Sequence, residues 1–510
     1  MRRTLLTASF LACLPTVALA DTLQVGPDKP YTTVNAAIAA AQPGDVIEVD
    51  AGEYVDDVTT ITTGDLTIRG VGDTPAHLRA TVPVANQKGI LAIEVGTGPV
   101  VIENLEFSGA FIEGNGDNAA GIRMQGESLV VRDCFFHDNQ NGILAGGTPD
   151  YDITIENSEF GHNGNPGSGQ EHNVYISGDT RLFIFMGNYS HHAYSGHTLK
   201  SRARESHILY NRFSDEADGS SSYLIDLPNG NLAYVIGNVV EQGPMAENTG
   251  TLLNFNAEDA AGPDNRLFVV NNTFVNDNGS SPAFVRAHNT DQAEVVLRNN
   301  LWVGSGTPFA EQGGTAALTD EGNLAPKDPG FVDREGYDYN LLESSVARDV
   351  AVDPGADGDV ALLPTEQYVH PAATATRPSD DALDVGAHEW GELEPPTGTS
   401  GGQTSGSDDS GGGSEPTSGG ADGGADSSTG ATSNGSAGAG EGSTETDAAP
   451  EAGGDTDGCG CTSDPHGGWA ALMLGLVALR LRRRRSATLS RATARSGRST
   501  GASASGGRRG

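Results

Sequence analysis

The sequence predicts an all-β chain wound into a solenoid, a β-helix, on three observations. An apolar strand, an Asn-rich turn and a closing aromatic or aliphatic residue return every two to three dozen residues, as in Ile102-Glu103-Asn104-Leu105-Glu106-Phe107, Ile155-Glu156-Asn157-Ser158-Glu159-Phe160, Val269-Val270-Asn271-Asn272-Thr273-Phe274 and Leu297-Arg298-Asn299-Asn300-Leu301-Trp302. A period of that size in strand-like segments marks a solenoid. Each segment alternates over only a few residues, too little to bury a face alone, so successive coils must stack around one shared core. Finally, Cys134 is the one cysteine within the repeats, which leaves no disulfide framework and assigns stability to core burial.

In chain order, Met1-Arg2-Arg3, an apolar run and the small-residue site Ala18-Leu19-Ala20 predict a secretory signal peptide over residues 1–20, cleaved after Ala20. Next comes Tyr31-Thr-Thr-Val-Asn-Ala-Ala-Ile, in which Val34, Ala37, Ile38 and Ala41 line one side of a short helix able to plug the open end of the stack. Pro43-Gly44-Asp45 then turns the chain into the first strand. Near the far end stand Asp328-Pro-Gly-Phe-Val-Asp333, Asp338-Tyr339-Asn340-Leu341 and Asp384-Val385-Gly386-Ala387. The cadence with these two end signatures resembles the right-handed parallel β-helix proteins of the pectate-lyase-like superfamily, over roughly residues 23 to 390 of a domain spanning 21–390. The resemblance implies a single-stranded right-handed parallel β-helix with a short N-terminal capping helix, closed at its last coils by the C-terminal motifs. It implies no particular chemistry, since one fold hosts many functions.

Residues 391–457 are Gly, Ser, Thr, Ala, Asp and Glu with almost no aromatics, a flexible acidic spacer. Residues 458–485 hold Cys459-Gly460-Cys461, a short apolar stretch from Gly467 to Leu479, and Arg480 with Arg482 to Arg485. That order resembles the myxobacterial C-terminal sorting tail, which implies a sorting protease as partner, processing at Cys459 or Cys461, and a cell-surface or outer-membrane-associated destination. The stretch is short for a permanent span of about 20 residues. The basic extension 486–510 departs from such tails, which stop soon after the arginines.

Charge narrows the partners. Residues 21–479 carry 18 basic against 68 acidic side chains, a net of −50, which argues against nucleic acid or an anionic membrane and fits a secreted protein, expected to be a monomer. Against that background residues 200–212 hold Lys200, Arg202, Arg204 and Arg212, and six of the 12 histidines lie between 162 and 207. Local basicity in an acidic protein is where an anionic ligand would sit.

Stacking the coils gives this region a register. Aligning Val174-Tyr175-Ile176 with Leu199-Lys200-Ser201, Ile225-Asp226-Leu227, Leu253-Asn254-Phe255 and Val285-Arg286-Ala287 places Tyr175, Lys200, Asp226, Asn254 and Arg286 in one outward, exposed column, with neighbours about 4.8 Å apart. The same register stacks His172 beside His197 and puts Arg202 on the same face as Lys200. A slip of one residue would turn the Lys200 charge into the core.

The resemblance to β-helix lyases, which use such a face to cleave uronate polysaccharides, implies β-elimination on an acidic polysaccharide. A cation must neutralise the sugar carboxylate, a base remove the adjacent proton, and an acid protonate the leaving oxygen. Arg202 or a bound cation is the candidate for the first, Lys200 for the second, Tyr175 or His197 for the third, with His172, Asn254 and Arg286 as substrate-binding residues. Arginines nearby favour a neutral Lys200, whereas Asp226 opposes it. Gly196-His197-Thr198-Leu199-Lys200-Ser201-Arg202 also resembles the Lys-Ser strand of alginate-lyase-type β-helices, which implies Lys200 as base, but Asp226 stands where those enzymes carry an arginine. Two alternatives remain: a glycoside hydrolase using Asp226 with Asp215 or Glu216, and a non-catalytic carbohydrate-binding or surface-structural protein in which Lys200 and Asp226 are only an ion pair. The run Asp215-Glu216-Ala217-Asp218 reads as a solvated turn, with Ca²⁺ as the alternative. The histidines match no standard metal-ligand spacing, and His137 and His162 read as turn and ladder residues, so no metal ligand is assigned.

Overall fold

The computed structural model describes residues 20–393, apart from 115–118, 259–261, 263, 292 and 380–381. The signal peptide before Ala20, nearly all of the spacer, and the processing candidates Cys459 and Cys461 lie outside the described residues; Ala20 is exposed. Among the described residues no helix is long and apolar enough to cross a membrane.

Each coil contributes three strands to two long parallel sheets, one of 20 strands and one of 10. In one coil these are Val174–Ile176 in the smaller sheet, then Thr180–Met186 and Tyr189–His191 in the larger, pairing in parallel with Leu199–Ser201, Glu205–Leu209 and Arg212–Ser214 of the next. The architecture is a right-handed parallel β-helix. Alternation sends every second side chain into one continuous core, in which Phe107, Phe136 and Phe160 stack at ring separations of 4.8 Å, the spacing of the strands that carry them.

The Asn-Asn cadence has two physical jobs. The first residue turns the chain between the two strands of the larger sheet at positive φ, 51° at Asn271 and 55° at Asn299, a conformation asparagine tolerates. The second points inward as a rung of a ladder. The backbone N–H and Nδ2 of Asn211 both donate to Asn238 Oδ1 at 2.9 Å, those of Asn238 to Asn272 Oδ1, and those of Asn272 to Asn300 Oδ1. Asn188 and Asn323 extend it at either end. Buried polar atoms are thereby satisfied from coil to coil.

The capping helix spans Val34–Ala40, with Val34, Ala37 and Ile38 buried. Thr33 accepts from the Ala36 N–H, and the Asp57 carboxylate accepts from Val34 and Asn35, so the helix start is tied to the coil it covers. The C-terminal motifs do more than close the last coils. The hairpins Phe331–Asp333 with Asp338–Leu341 and Glu366–Val369 with Ala373–Thr376 belong to an arm laid back along the outside of the larger sheet. Its Phe331, Tyr339, Leu341 and Val385 cover the outward Val239, Val275, Leu301 and Val303. The difference follows from those apolar outward positions, which need a cover.

Candidate active site

The smaller sheet carries the predicted column. Leu199 is fully buried and Ser201 Oγ meets Ser206 Oγ at 3.1 Å in the interior, which turns Lys200 outward. Tyr175 pairs with Lys200, Lys200 with Asp226, Asp226 with Asn254 and Asn254 with Arg286, the register read from alternation.

The column is not the exposed ridge that was expected. Asp226 and Asn254 are each 2 % exposed, and His172 and His197 are buried. Lys200, Tyr175, Arg202 and Arg286 remain partly open. The reason is mutual satisfaction, because a carboxylate can be buried where donors surround it. Asp226 Oδ1 accepts Asn254 Nδ2 at 2.8 Å, while Oδ2 lies 3.2 Å from Lys200 Nζ and 3.4 Å from His197 Nε2. Arg202 Nη1 donates to Tyr175 Oη at 2.7 Å, and its guanidinium forms a two-pronged pair with Glu258, whose carboxylate also lies 4.0 Å from Lys200.

The histidines are oriented by backbone. The Tyr223 N–H points at His197 Nδ1 (3.3 Å), which leaves the proton of the neutral ring on Nε2, facing Asp226. The His197 N–H in turn donates to His172 Nδ1 at 3.1 Å, and the two rings stack at 4.6 Å. Burial, reinforced by Lys200 and Arg202, holds both imidazoles well below their usual range, so both are neutral at physiological pH. With both ring nitrogens of His197 engaged, Tyr175 is the better placed proton donor: Arg202 donates to its oxygen, and the phenol proton is free to point elsewhere. Burial raises Asp226 above the ordinary carboxylate range against the pull of Lys200, Asn254 and Arg202.

Arg286 donates to the Gly250 carbonyl at 3.3 Å and shares the column with Asp226 by register. The sequence reading missed two residues. Glu258 arrives from a connection outside the aligned strands. Arg123 continues the column upstream through Leu144, in register with Tyr175, and among the described residues its guanidinium has no hydrogen bond or ion pair. Extending the alignment two coils toward the N-terminus would have found it. The acidic run disperses: Asp215 accepts from the Ser221 N–H, Glu216 from Tyr189 and Arg212, and Asp218 faces His192. Of the carboxylates the hydrolase alternative names, Asp226 and Asp215 are buried, while Glu216 is partly open but held by Tyr189 and Arg212.

No family model matches the sequence, and no curated protein matches it. Among solved structures the chain is similar to pectate lyase Pel9A, at a TM-score of 0.48 and 13 % identity over 74 % of this chain and 98 % of that one. A pectin methylesterase from Aspergillus niger matches at a TM-score of 0.28 and 13 % identity, covering 64 % and 92 %. The PL6 family alginate lyase AlyGC matches at 0.18 and 13 %, covering 69 % and 60 %.

Proposed function

We propose that the chain binds an acidic polysaccharide along the Tyr175–Lys200 column and cleaves it by β-elimination. The observation that carries this reading is the pairing of Tyr175 with Lys200 on adjacent strands, beside Arg202 and Arg123, whose guanidinium has no ion pair among the described residues, on a protein of net charge −38. Arg123 and Arg202 neutralise the sugar carboxylate. Lys200, in its neutral amine form, removes the proton α to that carboxylate. The electron pair forms the new C=C bond as the β C–O bond breaks, and Tyr175 gives its phenolic proton to the leaving oxygen.

The ion pairs Lys200–Asp226 and Arg202–Glu258 favour a second reading, capture without cleavage. A panel of polyuronates and other acidic glycans, read separately for unsaturated sugar ends and for new reducing ends, decides between them. Elimination gives both signals, hydrolysis reducing ends alone, and capture neither. Export is proposed on the same terms: intact mass of surface-released protein should lack residues 1–20 and end near Cys459 or Cys461, and full-length protein in the cytosol would refute it.

A further inference from the structure

A second cluster lies on the larger sheet, away from the Lys200 column. Three strands from successive coils, Leu66–Arg79, Leu105–Ser108 and Phe135–His137, pair in parallel, so His77 stands opposite Glu106 and His137 opposite Ser108. Ligand atoms of His77, Glu106 and His137 all lie within 4.8 Å of one another. Glu106 Oε1 is 3.4 Å from His77 Nδ1 and 3.0 Å from His137 Nε2. A four-coordinate ion with bonds of about 2.0–2.1 Å holds its donors roughly 3.3 Å apart, so both separations are close to what such an ion requires.

The far side of each ring is also engaged. His77 Nε2 lies 2.7 Å from Ser108 Oγ, and His137 Nδ1 lies 2.7 Å from the Asp138 carboxylate. Without an ion, His77 Nδ1 and His137 Nε2 face the Glu106 carboxylate as N–H donors; with one bound, Ser108 Oγ and the Asp138 carboxylate can accept the ring protons on the outer nitrogens and free those two lone pairs for the ion, the way outer partners orient metal-bound histidines. The three side chains are 20–24 % exposed, which leaves a way in for an ion and for water. Asp138 also lines a cavity of about 310 Å³ with Phe111, Gln140, His162 and Tyr194.

We propose that His77, Glu106 and His137 form a binding site for a divalent transition-metal ion of zinc's class. Two imidazoles with one carboxylate suit Zn²⁺ or its neighbours, whereas Ca²⁺ and Mg²⁺ take oxygen ligands. Three protein ligands leave a fourth position for water or a ligand.

The test is Zn²⁺ titration of the tag-free full-length chain after chelator treatment, by calorimetry, with Co²⁺ absorption reporting coordination number. The parent should bind one more equivalent than His77→Gln, His137→Gln or Glu106→Gln, with unchanged circular dichroism. Tail residues such as Cys459 and Cys461 are common to all of these proteins and cancel in the difference. Asp138→Asn, which keeps every ligand, should weaken binding about 10–100-fold. Equal stoichiometry and affinity in parent and His137→Gln, or displacement of Zn²⁺ by an equal concentration of Ca²⁺, would overturn the proposal.

Discussion

Asp226 and Glu241 are both buried carboxylates projecting outward from strands of the coil stack, and the protein treats them in opposite ways. Glu241 lies two residues from Val239, which the C-terminal arm covers, and near the arm's Tyr339. Its Oε2 accepts from the Ser214 hydroxyl and from the Asp215 and Glu216 N–H groups, while Oε1 has no partner. Every donor is neutral, and burial pushes the group up to about 8, so it keeps its proton at neutral pH. Asp226 is raised by burial too, but Lys200, Asn254 and Arg202 pull against that shift. Under the arm a carboxyl is neutralised in place. In the column on the smaller sheet a cation is recruited beside one, and that cation stays partly open to solvent.

Removing the cation strikes the contrast hardest. Lys200→Ala should lower turnover on the polyuronate that proves to be the substrate by about 10²–10⁴-fold, the usual worth of a positioned base. Full activity would move the chemistry away from Lys200. The same variant leaves a buried carboxylate short of a partner and should cost about 1–3 kcal/mol in urea unfolding. Adding Asp226→Asn should restore stability without restoring turnover. If Lys200→Ala proves as stable as the parent, Asp226 is already neutral and the two carboxyls are alike after all.

Glu241 sharpens the other side. Because its folded-state value is raised, the folded protein binds more protons than the unfolded chain between the ordinary glutamate range and about pH 8. Its stabilising contribution is complete below that range and is lost as pH rises through about 8, with a slope of up to about 1.4 kcal/mol per pH unit. Glu241→Gln should remove this loss. The clean window lies above neutral pH, since His388, held down at about 4, and the depressed His172 and His197 act only on the acid side. Stability curves of parent and variant that run parallel from pH 7 to 9 would show Glu241 to be ionised like any surface glutamate.

The smallest expected effect belongs to Arg123→Ala, which should raise KM about tenfold and leave thermal stability unchanged, because among the described residues the guanidinium forms no ion pair to lose. An unchanged KM would confine substrate to the coils after Tyr175.

The register was legible in the sequence because alternation admits two phases and only one keeps Lys200 out of the core. The inward Asn211, Asn238, Asn272 and Asn300 were legible as a cadence, though which asparagine turned the chain and which stacked was settled by the backbone. Burial of Asp226 was not legible, since alternation places Lys200, His197 and Asn254 around it without showing that their side chains close over the carboxylate. The course of the arm was equally hidden: Val239, Val275 and Leu301 sit at outward positions, where apolar residues signal a cover without saying which segment supplies it. His77, Glu106 and His137 escaped because metal-ligand motifs are local in sequence, whereas a coil stack assembles its sites across successive turns.

The asparagine ladder bears on how such a chain can change over generations. Each rung is satisfied by the rung of the neighbouring coil, so Asn211 could meet Asn272 as readily as it meets Asn238. Excising the segment between two rungs, or copying it, rejoins like to like and leaves every amide partnered, whereas losing part of a turn strands one amide in the core. The whole coil is therefore the unit in which this protein can be shortened, lengthened or recombined, and a column assembled from residues of several coils can gain or lose a position in a single genetic event.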